Sequence, residues 1–158
     1  MQDKLTHLDD QGQAHMVDVS AKPIVRRIAV AQGDFVAAKA TLDRLMAGDL
    51  PKGEALAVAR IAGISAAKRT DELIPLCHSL PIEQVTVVFE RIAEDRLRVT
   101  ATTTVTARTG VEMESLTAVS VACLTLYDMT KAIDESLRIE GIVLVKKVKG
   151  AEAGNASK

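Results

Sequence analysis

Two residue types that bind metals and carry out catalysis stand side by side in this sequence. Cys77 and His78 lie in "DELIPLCHSLPIEQVTV", residues 71–87, between Pro75 and Pro81. Adjacent side chains tend to diverge, and a structural zinc site needs about four ligands at recognisable spacings. His7 and His15 form no spacing pair with Cys77. A zinc centre is therefore not expected, and neither is any other protein-bound metal. A cysteine–histidine nucleophilic dyad draws its members from separate parts of a chain. On local sequence alone, the ordinary reading is a packed Cys77 with His78 capping a turn.

The carboxylates offer a second set. Glu112 and Glu114 open a helical pattern, where negative charge complements the helix dipole. Asp128 and Lys131 are three apart near its other end, hence on one face. Asp128 sits in the apolar stretch "LTLYDMTKAI", where an acid is less expected than in a solvated ion pair. Glu114 and Asp128 are fourteen residues apart, which is about 21 Å along a helix. They cannot both grip one small group within a subunit. Lysines and arginines at element ends, among them Arg27, Lys52, Lys68, Lys131 and Lys147, could hold a phosphate-rich ligand if three or four converge. There is no P-loop and no GxGxxG.

The elements that must position these groups follow from patterning. The chain has 158 residues, 47% hydrophobic and 26% charged, which suits one domain over residues 1–158. A net charge of −1 argues against duplex nucleic acid, and 2% aromatics argues against stacking on single strands. Two cysteines make no disulfide framework. No apolar run reads as a signal peptide or a membrane span, so a cytoplasmic location with no membrane partner is expected. Small side chains dominate "EALAVARIAGISAAK", which suggests added stability from subunit contacts.

Residues 1–13 read as a flexible arm and about 149–158 as a tail. "AHMVDVSAKP" alternates around Met16, Asp18 and Ser20 and predicts an edge strand ending at Pro23. A strand is predicted over 24–37, then a helix around Leu42, Leu45 and Met46 that stops at Gly48. A longer helix follows Pro51 and runs to Ile74. Residues 83–108 form a hairpin whose second strand points Leu97, Val99, Ala101, Thr103, Val105 and Ala107 to one face. Thr109 to Glu112 fits a T-x-x-E capping box for a helix reaching about Asp134. Residues 136–149 complete the pattern as a strand. The order is α+β, a ferredoxin-like βαββαβ sandwich with an additional N-terminal strand and helix. Fold alone favours a non-catalytic ligand-binding module, such as a regulatory domain.

Three stretches narrow this. "HMVDVSAK", "ARIAGISAAKRTDELIPLCHSLPI" and "TGVEMESLTAVSVACLTLYDMTKA" resemble the cyclic pyranopterin monophosphate synthase family, over roughly His15 to Lys147. After Lys147 the chain reads "VKGAEAGNASK", where the family would carry a glycine- and serine-rich basic run. The resemblance implies a lyase of molybdenum cofactor biosynthesis, built as a homohexamer, a trimer of dimers. Its nucleotide substrate would be 3′,8-cyclo-7,8-dihydro-GTP, supplied by a radical S-adenosylmethionine GTP cyclase, and diphosphate would leave. It implies substrate contact by Leu76, Cys77, His78, Met113 and Glu114, with Glu112 beside them. Asp128 would be catalytic, and Lys52, Lys68, Lys131, Lys147 and Arg27 fall where basic site residues belong. Lys52 and Lys131 would join Asp128 in acid–base work, since a lysine among cations can have a lowered pKa. Arg27, Lys68 and Lys147 would hold phosphates. No redox cofactor is implied; magnesium on the substrate's phosphates is compatible with the chemistry.

Overall fold

The computed structural model describes residues 7–152. Four strands and four helices follow in the order β1 (Val25–Val36), α1 (Lys39–Ala47), α2 (Ala55–Ala67), α3 (Thr70–Leu73), β2 (Gln84–Ala93), β3 (Arg96–Ala107), α4 (Glu112–Thr130) and β4 (Arg138–Glu152). The sheet order is β2-β3-β1-β4, and every neighbouring pair is antiparallel. This is the ferredoxin-like α+β arrangement, with α1 as the additional helix.

Period-two patterning sets the sheet's faces. Leu97, Val99, Ala101, Thr103 and Val105 are buried, as the alternation in β3 predicts. Leu97, Val99 and Ala101 meet α2 and α4 in a core with Phe35, Leu42, Leu45 and Leu126, all fully enclosed, while Val105 joins Ala29, Ala107 and Val111 in a second cluster. Each such side chain contributes about 1.5–3 kcal/mol on burial. Small residues let the two long helices approach. A Cβ at Gly63 of α2 would lie 2.8 Å from the Ala118 carbonyl oxygen of α4, so only glycine fits this crossing. Gly48 ends α1 in the left-handed region, φ 70°, and its N–H returns to the Leu45 carbonyl.

Five local expectations are corrected. The N-terminal edge strand at Met16–Ser20 does not form. Asp18 instead accepts the Ser20 N–H at 2.8 Å in a side-chain turn, which takes the backbone out of a strand. Residues 7–14 close on themselves through an isolated bridge, Leu8 to Ala14. The helix expected to run to Ile74 breaks after Ala67. Buried Thr70 turns its hydroxyl onto the Ala66 and Ala67 carbonyls, and α3 restarts as a single turn.

The capping box is also absent: Val111 is the N-cap, and the Glu112 carboxylate folds over Gly110 toward Lys147. Helix α4 ends at Thr130 rather than Asp134. Asp134 receives the Ala38 and Ser136 N–H groups, both at 2.8 Å. Burial works against its charge, but these bonds and the Ser136 hydroxyl outweigh it and hold the carboxyl at about 2. Strand β4 continues to Glu152, past the expected start of the tail. Residues 1–6 of the expected arm and 153–158 of the tail lie outside the described residues.

Candidate active site

Three pieces of chain converge at the start of α4. The segment after α3 brings Leu76, Cys77 and His78. The first turn of α4 brings Glu112, Met113 and Glu114. The N-terminal segment brings His7, Val17, Val19 and Lys22. Together they line a cavity of about 620 Å³.

Pro75 and Pro81 keep the middle piece out of helix and sheet. Its Cys77 N–H bonds to the Ile74 carbonyl at 3.0 Å. His78 meets the Val17 carbonyl through Nε2 at 2.8 Å. A carbonyl only accepts, so Nε2 carries the proton and Nδ1 is the acceptor of the neutral ring.

Glu114 is 4% exposed and is pushed up to about 7. Burial is the largest cause; its own backbone N–H opposes it, and the charges of Glu112 and Asp71 add to it. Near neutral pH this group can therefore give or take a proton. Cys77 is also pushed up, by burial first and then by Glu114 and Asp71. That favours the thiol over the thiolate and makes Cys77 a wall rather than a nucleophile.

A smaller cavity of about 280 Å³ shares Gly110 and Glu112 with the first. Arg27, Lys147 and Lys149 line it. Arg27 donates to the Ala107 carbonyl at 3.1 Å and the Arg108 carbonyl at 2.9 Å, which fixes its guanidinium at the end of β3. Lys147 lies 3.4 Å from the Glu112 carboxylate. A partly apolar space and a cationic one thus lie side by side, with Gly110 and Glu112 on the border of both.

The other centre lies at the far end of α4. Asp128 pairs with Lys131 at 2.8 Å and Lys52 at 3.1 Å, and Lys52 also donates to the Asp128 backbone carbonyl. Packing of α2 along α4 brings Lys52 to Asp128 across 76 positions of sequence. All three side chains are exposed. The hydrogen bond from Lys131, then that from Lys52, holds the Asp128 carboxyl below its ordinary range. Lys131 is held above its own by the same bond. This corrects the expectation of a lowered lysine: its neighbour is an acid, not a cation.

The predicted residues therefore divide. Leu76, Cys77, His78, Glu112, Met113 and Glu114 meet in one cavity, with Arg27 and Lys147 in its annex. Asp128, Lys52 and Lys131 meet elsewhere. Lys68 is exposed just past the end of α2 and lines neither cavity. Sequence reasoning missed Val17 and Val19 as cavity wall. The cue was Pro23 and the apolar alternation before it, which was read as a strand. Among the described residues, no group of three or more His, Cys, Asp or Glu is placed to hold a metal.

The MoaC family model matches residues 16–150, which include both centres apart from His7. The chain belongs to the MoaC family. Curated relatives agree over nearly its whole length. It is 57% identical to the cyclic pyranopterin monophosphate synthase of Herpetosiphon aurantiacus over 148 residues, 93% of this chain and 90% of the relative. It is 57% identical to cyclic pyranopterin monophosphate synthase 3 of Mycobacterium tuberculosis over 146 residues, 92% and 82%. It is 51% identical to the Chloroflexus aggregans synthase over 154 residues, 97% and 93%. The MoaC match begins at Met16, so it takes in Val17, whose carbonyl holds His78.

Proposed function

We propose that this chain is a cyclic pyranopterin monophosphate synthase of molybdenum cofactor biosynthesis. It converts (8S)-3′,8-cyclo-7,8-dihydroguanosine 5′-triphosphate to cyclic pyranopterin monophosphate and releases diphosphate. The observation that carries this reading is the cavity at the start of α4, where the motif residues Leu76, Cys77, His78, Met113 and Glu114 meet beside a cationic annex. The names of the relatives supply the product, with which this substrate and leaving group are consistent.

The reaction needs a grip on the ring edge, neutralisation of phosphate charge and proton transfer. Glu114 accepts the paired N–H groups of the guanine-derived edge, and His78 accepts through Nδ1. Leu76, Cys77 and Met113 form the apolar wall, with Glu112 bordering ring and phosphate spaces. Arg27 and Lys147 hold phosphates, joined by Lys68; fixed cations stabilise the departing diphosphate without reorganisation. Asp128, Lys52 and Lys131 exchange protons with the ribose and ring nitrogens. In this arrangement Asp128 is the ionised base and Lys131 the charged acid. No resident cofactor takes part, and any magnesium arrives on the triphosphate.

The subunit assembles as a homohexamer, a trimer of dimers, and the site draws the start of α4 from one subunit and the end of α4 from another. The substrate comes from a radical S-adenosylmethionine GTP cyclase. The protein works in the cytoplasm; among the described residues, no helix is long and apolar enough to cross a membrane. The deciding experiment incubates the purified chain with the cyclic dihydro-GTP and reads pterin fluorescence after oxidation. A folded protein that yields none refutes the proposal.

A further inference from the structure

The segment that carries Cys77 and His78 has few ties. It belongs to no strand, its two prolines donate no N–H, and its own backbone bonds are short-range, Cys77 to Ile74 and Ile82 to Leu80. Beyond the His78 bond to Val17, one side-chain hydrogen bond ties it to the helical layer, while Leu80 and Ile82 rest against the apolar clusters at its far end. Ser79 donates its hydroxyl to the Asp71 carboxylate of α3. Asp71 stands on a fixed base, because its neighbour Thr70 is 1% exposed and bonds to the end of α2 through its hydroxyl. Asp71 does not itself line the cavity.

We infer that Asp71 is a positioning residue for this site: by accepting from Ser79 it pins the Cys77–His78 segment to α3 and sets where that segment stands relative to Glu114. The inference rests on the reading of the cavity as the substrate's ring site. Asp71 has a second effect through its charge. Glu114 shares its surroundings with Glu112 on its own helix, Asp71 on α3, Cys77 and His78 on the segment, and Lys22 and His7 across the cavity. The Asp71 charge adds to the forces that keep a proton on Glu114 and on Cys77. The tether and the charge can be separated, because Asn accepts the same hydrogen bond without the charge and Ala at position 79 removes the bond without touching the charge.

The test uses the full chain and five variants, one of them for assignment only. Ser79→Ala and Asp71→Ala are expected to raise KM for the cyclic dihydro-GTP by about threefold or more, with little change in kcat. Ser79→Thr, which keeps the hydroxyl, is expected to retain the wild-type KM. Asp71→Asn is expected to keep KM near wild type at alkaline pH while moving the Glu114 titration to lower pH. That titration is read from the carbon-13 carboxyl shift of glutamate-labelled, ligand-free protein, assigned by Glu114→Gln. Amide exchange at Cys77 to Leu80 is expected to quicken in Ser79→Ala and Asp71→Ala but not in Ser79→Thr. Unchanged exchange and KM in folded Ser79→Ala overturns the tether. An unmoved Glu114 titration in Asp71→Asn overturns the charge effect. If the wild-type chain does not turn over the substrate, the functional reading fails, yet exchange and titration still decide the role of Asp71.

Discussion

Replacing Glu114 with glutamine is expected to stabilise the protein in alkali and not in acid. The side chain is 4% exposed, and its carboxyl rises from 4.5 to about 7, chiefly through burial. A group whose folded pKa is raised binds its proton more tightly in the native state. Its stabilising contribution is full below the unfolded value and is lost as pH climbs through the folded one. At about 1.4 kcal/mol per unit, the interval from 4.5 to about 7 is worth about 3 kcal/mol. Glutamine keeps the shape and never titrates, so the variant escapes that loss. The measurement is denaturant or thermal unfolding of both proteins at one subunit concentration, at about pH 5 and about pH 8, because oligomers unfold at concentration-dependent midpoints. Because pH 5 already lies above the unfolded value of 4.5, the difference between variant and wild type should shift toward the variant by about 2.5 kcal/mol between the two pH values, or roughly 5–10 °C in Tm for a chain of this size. Any fixed cost of the amide appears at both pH values and cancels. A difference that does not change with pH would show that Glu114 is already ionised in the folded protein, and the burial argument would fall.

Asp128→Asn should fold and bind substrate but lose most turnover, since it removes charge and basicity at constant size; a kcat within about threefold of wild type, under about 1 kcal/mol of barrier, makes Asp128 only an ion-pair partner. Lys52→Ala and Lys131→Ala should each lower kcat more than Cys77→Ala does, by steady-state assay. Complete loss of turnover in a well-folded Cys77→Ala protein would restore a thiol mechanism. Mixing inactive Glu114→Ala with inactive Asp128→Asn under subunit exchange should restore activity, with about one site in four intact if each site takes its two centres from two chains. Verified mixed oligomers without recovery would place each site within one chain.

Much of this was legible because it follows from periodicity. The alternation in β3 named its buried face, and turn residues marked the hairpin, so the ferredoxin-like order came from pattern alone. The prolines showed only that residues 75–81 are neither helix nor sheet, and the resemblance, not the pattern, pointed to Leu76, Cys77 and His78 as site residues; Asp128 with Lys131 was legible because three positions on a helix are neighbours. What escaped was decided by competition among local hydrogen bonds. The 16–20 alternation reads as a strand until Asp18 spends its carboxylate on the Ser20 N–H. Thr109 and Glu112 read as a capping box until Lys147, from a strand far along the chain, draws the carboxylate the other way. Lys131 was expected to be lowered by cations, but the group that reaches it is Asp128. Lys68 lies in the resembling stretch, yet no spacing rule says which way the end of α2 points.

The division of the predicted residues into two clusters has a mechanical origin. Helix α4 is one unbroken element from Glu112 to Thr130, and its buried Ala118, Val119 and Ala122 press on the sheet and on α2. Gly63 lets α2 lie close enough for Lys52, before its start, to reach Asp128, while the turn after its end delivers Asp71 and the His78 segment to the first turn of α4. One helix–helix contact therefore sets both centres and also holds them about 21 Å apart. A rigid helix cannot close that gap, and a folded triphosphate spans only part of it. A symmetric pair of subunits that lays the start of one α4 beside the end of another removes the conflict without moving any element, and it creates two equivalent sites at once.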